Sequence, residues 1–265
     1  MEFAIEIDNL NVRFPARGST VQALDGLSLR VGLGEAVGFI GPNGAGKTTA
    51  IHVLLGFIEP SSGHAKIFGQ DSRQSVARER IGYLPEHPDT YRFLTGRELL
   101  RMAGKLFLMK EKNLRERIDA VLRLVDIEQA ADRRIGTYSK GMLQRICLAQ
   151  ALINNPDLVI LDEPTGGLDP LGRMDIRKLI ARLRDEGKTV FFSSHELSEV
   201  ELVCDRVAML ARGRLVAEGP VTDLVAPGES LERFFLRTVA GPQSEQRATP
   251  TSREMGNRKQ KGHRP

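Results

Sequence analysis

The sequence has few cysteines and lacks any long apolar run. Its 265 residues include two cysteines, Cys147 and Cys204, too few for a disulfide framework but suited to a reducing compartment. We expect both to be small buried hydrophobic residues. No apolar stretch reaches the roughly 18 residues that a membrane span needs. The chain opens with the acidic, strand-like MEFAIEID rather than a signal segment, which favours a cytoplasmic globular protein.

Excess charge of one sign is also scarce outside the C-terminal segment. The formal net charge is +4, and residues 241–265 alone carry six basic and two acidic residues, so the rest of the chain is balanced. A balanced folded part argues against a phosphate-backbone footprint, and we predict no nucleic-acid partner. Residues 239–265 are mostly polar and lack aromatic side chains, so we expect a basic, disordered tail.

Strand-like and helical patterns alternate along most of the chain. FAIEIDNLNVRF and VQALDGLSLRV carry partial period-2 alternation and are separated by the turn-prone PARGST. Later strand candidates are AVGFI, HAKIFG, RIGYLP, DLVILDEP, TVFFSSH, RVAMLARG and RLVAEG. From Thr95 to about Asn155 the pattern is helical and begins with a Thr95–Glu98 capping box. This order predicts an α/β fold whose mostly parallel sheet is interrupted by a helical insert.

A glycine-rich loop, GPNGAGKT at residues 41–48, lies between an apolar strand and a helical pattern. It fits G-x-x-x-x-G-K-[ST] in the context that a phosphate-binding P-loop requires. Its glycines let backbone amides turn toward the phosphates, Lys47 reaches the β- and γ-phosphates, and the Thr48 hydroxyl ligates Mg²⁺. The similar GKT at residues 187–189 lacks the upstream glycine and leads into a strand, so we discount it.

Two acidic residues end the apolar segment LVILDEP. Asp162 at the carboxyl end of the strand can hold the Mg²⁺ shell, and Glu163 can orient or deprotonate an attacking water. Alone, such a pair is as well explained by an ordinary strand end. Together with a P-loop it predicts phosphoryl-transfer chemistry.

Another apolar strand is followed by His195, in FFSSHEL. A histidine at this place can contact a γ-phosphate, although a lone histidine at a strand end is more often structural. Ser193 and Glu196 also have the spacing of a capping box, which is an alternative explanation for part of the stretch.

The segment TYSKGMLQRICLAQAL, residues 137–152, predicts a helix that begins near Ser139 and Gly141. Free amides at a helix start, together with a serine and a glycine, favour an anion. Nothing within the segment itself needs one.

In this order, the P-loop, YLPE, YSKGMLQR, LVILDEP, GGLDP and SSHEL resemble the nucleotide-binding subunit of an ATP-binding cassette (ABC) transporter. The resemblance covers roughly residues 5–236. It implies a P-loop NTPase fold with a mostly parallel sheet core, an N-terminal antiparallel β subdomain and an inserted α-helical subdomain at about 88–155. The cassette is predicted to span 1–238, followed by the tail at 239–265.

The resemblance also implies roles for individual residues. Glu163 matches the catalytic glutamate and His195 the switch histidine, and with Lys47 they form the predicted catalytic set. The metal ligands are predicted to be Thr48, Glu86 and Asp162. The residues predicted to bind ATP are Phe14, Gly41, Pro42, Asn43, Gly44, Ala45, Gly46, Lys47, Thr48, Thr49, Glu86, Ser139, Gly141 and Asp169.

Several of these positions are implied to serve particular contacts. Phe14 falls where the family stacks an aromatic ring on adenine, although an ordinary core phenylalanine explains it as well. Ser139 and Gly141 match the signature motif, which binds the γ-phosphate of an ATP held by another cassette. Asp169 matches the loop through which two cassettes communicate. The helical subdomain is expected to dock on the membrane partner.

The sequence departs from the commonest family pattern at three places. Glu86 stands for glutamine, which adds a negative charge beside the γ-phosphate. The signature reads YSKGM, which introduces Lys140, and the loop before Asp169 reads GGLDP. Lys140 either faces the phosphate or points to solvent, and solvent is slightly favoured. All three variants resemble an exporter branch whose membrane subunits are separately encoded.

The resulting hypothesis is an ATPase subunit that dimerises around two ATP molecules and powers export through a separate membrane-spanning partner. It would be cytoplasmic and peripheral on the inner face of the membrane, with ATP and Mg²⁺ as cofactors. The alternatives are an importer cassette, a soluble cassette protein acting on nucleic acid or translation, and a metabolic P-loop kinase or GTPase. The last would not need the Ser139–Gly141 signature or Asp169.

Overall fold

A computed structural model describes residues 2–16, 18–226 and 228–240. The predicted disordered tail lies outside these residues from Gly241 onward, while Val239 and Ala240 belong to the last helix. None of the helices in the described ranges combines the length and apolarity needed to cross a bilayer.

The N-terminal part forms an antiparallel four-stranded sheet in the order β2-β1-β4-β5. Its long hairpin joins β1 (Phe3–Ala16) and β2 (Ser19–Gly32), and it is completed by β4 (Ser62–Ile67) and β5 (Gln70–Asp71). Between β2 and β4 the chain leaves this sheet and forms β3, which belongs to another sheet. The predicted antiparallel β subdomain is therefore confirmed.

The second sheet has six strands in the order β10-β9-β3-β8-β7-β6. Five strands run parallel, and β10 pairs antiparallel with β9. The strands are β3 (Ala36–Ile40), β6 (Ile81–Leu84), β7 (Leu158–Asp162), β8 (Thr189–Ser194), β9 (Arg206–Ala211) and β10 (Arg214–Pro220). Every residue of β3, β7 and β8 is buried, because layers cover both faces of a parallel sheet.

Helices connect these strands and supply the insert. The insert between β6 and β7 carries three α-helices and two short 3₁₀ segments, which confirms the predicted helical subdomain. Its members are α3 (Gly96–Leu106), α4 (Glu111–Leu124), Glu128–Ala130, Ile135–Thr137 and α5 (Lys140–Ala151). The remaining helices are α1 (Lys47–Leu54), α2 (Ser75–Arg78), α6 (Pro170–Asp185), α7 (Leu197–Glu201), α8 (Val221–Leu224) and α9 (Leu231–Ala240).

Two apolar cores lie on opposite faces of the six-stranded sheet. One contains the buried sides of the insert, α6 and α7. The other fills the space between the two sheets and around α1. Strand residues alternate between the cores: Val159 and Leu161 face the first, while Leu158 and Ile160 face the second. The P-loop region and the insert are thus anchored to the same sheet.

The two predicted capping boxes have different outcomes. At α3 the box is confirmed, because the Thr95 side chain accepts from the Glu98 amide and the Glu98 carboxylate accepts from the Thr95 amide. At α7 the Ser193–Glu196 box is wrong. That helix begins at Leu197 after Glu196 at the N-cap position, with no side-chain cap. The Ser193 hydroxyl is buried and points to a different partner.

Candidate functional site

The site lies at the carboxyl ends of three adjacent parallel strands. Strand β8 lies between β3, which leads into the P-loop, and β7, which leads into the acidic pair. The register places Ser194 beside Ile40 on one side and Ser193 beside Asp162 on the other. Parallel strands bring their following loops to one edge, so residues distant in sequence meet there.

The P-loop turns tightly against the hairpin and β9. A Cβ atom at Gly41 would lie 2.3 Å from the Leu210 carbonyl oxygen. At Gly46, where φ is 109°, a Cβ atom would lie 2.6 Å from the Ala23 carbonyl oxygen. Only glycine fits these positions. The loop residues Pro42, Asn43 and Gly44 are exposed, so their backbone is accessible to a ligand.

Helix α1 begins directly after this loop. Its N-cap is Gly46, with no side-chain cap, and its first turn carries no acidic residue. Thr48 and Thr49 are half-buried in that turn, and Ala45 is buried below the loop. An uncapped helix N-terminus with no local carboxylate favours an anion such as a phosphate.

A continuous series of polar contacts joins Lys47, Glu163 and His195. The Lys47 ammonium donates to the Gly41 carbonyl oxygen at 2.7 Å and lies 3.3 Å from Glu163 Oε1. The other Glu163 oxygen, Oε2, is 2.8 Å from His195 Nδ1 and accepts from the His195 backbone amide at 3.3 Å. Because a carboxylate can only accept, Nδ1 carries the hydrogen in this contact. Lys47 and Glu163 are buried, so the pair is shielded from water.

Glu163 also has unusual backbone geometry. Its φ of 49° lies in the left-handed region, which costs a non-glycine residue about 1 kcal/mol or more. Its backbone amide donates to the Ser193 hydroxyl at 2.9 Å, and its carbonyl accepts from the Gly166 amide. These contacts hold the chain in the conformation that turns the carboxylate toward Lys47.

Asp162 is fully buried, and only one of its two carboxylate oxygens has a hydrogen-bond partner. Its Oδ1 accepts from the Ser193 hydroxyl at 2.5 Å, whereas its Oδ2 has no hydrogen-bond partner. A buried carboxylate oxygen is costly unless it has a partner, and carboxylate oxygens are the ligand type that Mg²⁺ prefers. Asp162 therefore fits a magnesium ion bound beside the P-loop.

The other predicted metal ligands contribute less by themselves. Glu86 lies two residues after β6, and its side chain is about half exposed, 3.8 Å from His87. The pKa of Tyr83 is raised to about 12 by burial and then by the charges of Asp162 and Glu86. Within the described residues no three His, Cys, Asp or Glu side chains form a metal site. An ion here would therefore need oxygens from Thr48 or from a bound phosphate.

Phe14 is on the surface rather than in the core. It lies near the end of β1, opposite Val21, and is 38% exposed. Two residues earlier, Val12 pairs with Leu24, which contacts the P-loop at Gly46. The ring is therefore exposed, on the hairpin whose Leu24 lies against the P-loop, and this exposure excludes the core interpretation.

The signature segment begins α5 as expected. Ser139 is the N-cap and accepts from the Met142 amide at 3.3 Å. The Lys140 side chain folds back over Gly167. Its ammonium nitrogen lies 1.8 Å from the position that a Cβ atom would occupy if Gly167 were another residue. Asp169 caps α6 by accepting from the Gly172 amide at 2.7 Å.

These segments do not join the chain of contacts around Lys47. Among the described residues, no hydrogen bond or ion pair links Ser139, Gly141 or Asp169 to Lys47, Glu163 or His195. The structure thus separates the predicted site residues into two groups within one chain.

Two buried polar residues complete the site and were not predicted. Ser193 bridges Asp162 and the Glu163 amide, and Gln144 donates to the Pro164 carbonyl at 3.0 Å. The only local signal for Ser193 is a polar residue at the end of an apolar strand. Gln144 has no local signal, because its partner lies 20 residues away.

Several known proteins are similar to this chain in sequence. The family model described as "ABC transporter" matches residues 24–166. An uncharacterised ABC transporter ATP-binding protein from Nostoc is 49% identical over 207 residues, which cover 77% of this chain and 62% of that protein. A Nod factor export ATP-binding protein from Paraburkholderia xenovorans is 38% identical, and the match covers 85% of this chain and 73% of that protein.

A solved structure of the ATP-binding subunit of an ABC transporter is similar over most of this chain. It superimposes with a TM-score of 0.80 at 30% identity and covers 89% of this chain and 99% of the solved one. The fold prediction is therefore confirmed. From the matched family model, the relatives and this fold, we conclude that the chain belongs to the ABC transporter family.

Proposed function

We propose that this chain is the ATP-binding and ATP-hydrolysing subunit of an ABC transporter of the export type. The observation that carries the proposal is the series of polar contacts from Lys47 through Glu163 to His195 beside the P-loop. The similarity of this protein to an export ATP-binding protein supports the direction of transport. The chain would be cytoplasmic and peripheral on the membrane through its partner.

The geometry suggests how nucleotide binding activates Glu163. Both Glu163 oxygens are engaged within this chain, Oε1 by Lys47 and Oε2 by His195. The β- and γ-phosphates of ATP compete for the Lys47 ammonium and weaken its attraction to Glu163. Oε1 then becomes free to accept a hydrogen bond from the attacking water, while His195 holds Oε2. ATP binding thus prepares the base that hydrolysis needs.

Thr48, Asp162 and Glu86 would hold the Mg²⁺ ion, which neutralises phosphate charge when bound. The loop from Gly41 to Gly46, which is exposed at Pro42, Asn43 and Gly44, would cradle the phosphates, and the exposed ring of Phe14 would stack on adenine. Ser193 keeps Asp162 and the Glu163 backbone in one arrangement. Each of these roles belongs to residues of this chain.

The second group of site residues points to a second cassette. Ser139, Gly141 and Asp169 have no polar link to the described Lys47 group, yet Ser139 and Gly141 start an α-helix that favours an anion. We infer that they face the γ-phosphate held by the other subunit of a dimer. This would explain the anion-binding character of residues 137–152.

A groove on the helical insert offers a surface for the membrane partner. It has a volume of about 320 Å³ and is lined by Tyr83, Pro85, Pro88, Leu106, Phe107 and Cys147 among others. Its rim is apolar and exposed: Leu106 is 78% exposed and Phe107 45% exposed. Clusters of exposed apolar side chains mark contact surfaces. We infer that this groove receives a cytoplasmic segment of the membrane-spanning subunit.

Glu163→Gln tests the central assignment. The amide has the same shape but cannot serve as a base, so we expect ATP turnover to fall by at least about 100-fold with ATP affinity retained. We also expect an ATP-bound dimer to accumulate on size-exclusion chromatography. Lys47→Ala is the matched control and should lose ATP binding. Parent-rate hydrolysis by the glutamine variant would contradict the role of Glu163.

The partner surface has its own test. Leu106→Asp should abolish co-sedimentation with membranes that contain the co-expressed partner while leaving ATPase activity of the isolated chain unchanged. Robust membrane binding without any partner would contradict the docking proposal and point to the basic tail.

A further inference from the structure

The Arg173 side chain, on the first turns of α6, reaches two different loops. Its Nε donates to the Leu168 carbonyl oxygen at 3.1 Å, and its Nη1 forms an ion pair with the Glu196 carboxylate. The two side chains are 32% and 23% exposed, so the ion pair is partly shielded from water. The planar guanidinium presents several donors in a fixed geometry, so one side chain can hold both acceptors.

The two acceptors flank residues of different function. Leu168 directly precedes Asp169, in the loop proposed to face the second cassette. Glu196 directly follows His195, which binds the Glu163 carboxylate within this chain. The Glu196 backbone amide also donates to the Ser194 hydroxyl at 2.9 Å, which ties it to the end of β8. Arg173 therefore provides a side-chain link between the loop of Asp169 and the loop of His195.

A second ion pair provides an internal reference. Arg177 lies one helical turn farther along α6 and pairs with Glu199 on α7 at 2.6 Å. Its side chains are 25% and 13% exposed, close to the values for Arg173 and Glu196. This pair joins the same two helices but contacts neither the Leu168 carbonyl nor the residue beside His195. If the two ion pairs served only to hold α6 and α7 together, removing either pair should affect ATP turnover equally.

We propose that Arg173 is a positioning residue that holds the Asp169 loop and the His195 loop as one unit. Movement of the loop that faces the partner's nucleotide then repositions His195 and Glu163 at the nucleotide bound by this chain. This inference rests on the proposed ATPase function. It predicts a loss of turnover without a loss of ATP binding, because the Arg173 side chain bonds to Leu168 and Glu196 rather than to the P-loop.

The test compares two matched pairs of variants in the full chain. We expect Arg173→Ala to lower kcat for ATP by about tenfold or more, since small displacements of catalytic groups carry penalties of that size. The ATP dissociation constant and KM should stay within about twofold. Arg177→Ala should keep kcat within about twofold. Equal losses of kcat in the two variants, or a rise in KM with kcat retained, would overturn the proposal.

A second comparison covers the case in which Arg173→Ala fails to fold. Glu196→Gln preserves side-chain shape and should lower kcat severalfold, whereas Glu199→Gln should not. In the double variant Arg173→Ala/Glu196→Gln, kcat should be no lower than in Arg173→Ala alone, because both changes break one link. Multiplicative losses would overturn the proposal. Absence of Lys47-dependent turnover in the parent chain would instead contradict the proposed function.

Discussion

Ser193→Ala removes a hydroxyl that serves two buried groups at once. The Ser193 oxygen donates to Asp162 Oδ1 at 2.5 Å and accepts from the Glu163 amide at 2.9 Å, and the residue is fully buried. A hydrogen bond to a charged group contributes about 1.5–3 kcal/mol and a neutral one about 0.5–1.5 kcal/mol. Because Asp162 Oδ2 already lacks a partner, the variant leaves the whole carboxylate unsatisfied. We therefore expect a destabilisation of about 2–4 kcal/mol.

Thermal unfolding without nucleotide measures this cost. For a domain of this size, 1 kcal/mol corresponds to about 2–4 °C, so Tm should fall by roughly 4–16 °C. Ser194→Ala is the matched control, because this serine is equally buried but bonds to the Glu196 backbone and to no carboxylate. We expect its Tm loss to be less than half as large.

The comparison can refute the reasoning. If the Ser193 variant loses no more Tm than the Ser194 variant, the Asp162 carboxylate does not depend on this hydroxyl. The claim that Ser193 positions the acidic pair would then be wrong. A large Tm loss with unchanged kcat would confine Ser193 to a structural role.

Two further predictions concern the dimer face and the thiols. Lys140→Gly should weaken ATP-dependent dimerisation by about two- to fivefold, which is the effect expected of one exposed cation. The reason is that the Lys140 ammonium lies over Gly167, beside the Asp169 loop. An unchanged dimer on size-exclusion chromatography would show that Lys140 does not contribute to dimerisation. The thiols should react with a disulfide reagent at pH 8 far more slowly in native than in denatured protein. Burial and then the Asp89 charge raise the pKa of Cys147 to about 12, and burial and then Asp205 also raise that of Cys204, so thiolate is scarce. Equal rates in the two states would contradict the shielding of the two thiols by the fold.

The sequence by itself determined the elements whose signals are local. The P-loop is readable because its glycines, Lys47 and Thr48 act within eight consecutive residues between a strand and a helix. The Thr95 cap is likewise a contact between residues three apart. The order of strands and the helical insert also predicted the α/β architecture. Each of these features depends on neighbouring residues, so spacing alone is enough to recognise it.

Only the tertiary structure decided how the site is connected. Strand β8 is inserted between β3 and β7, and this non-sequential order places Ser193 against Asp162, 31 residues away. From local spacing the same serine suggested a helix cap, which was wrong. Arg173 and Glu196 likewise meet because the first turns of α6 come within side-chain reach of the start of α7. Long-range polar contacts depend on which strands and helices become neighbours, and burial, rather than spacing along the chain, determines that arrangement.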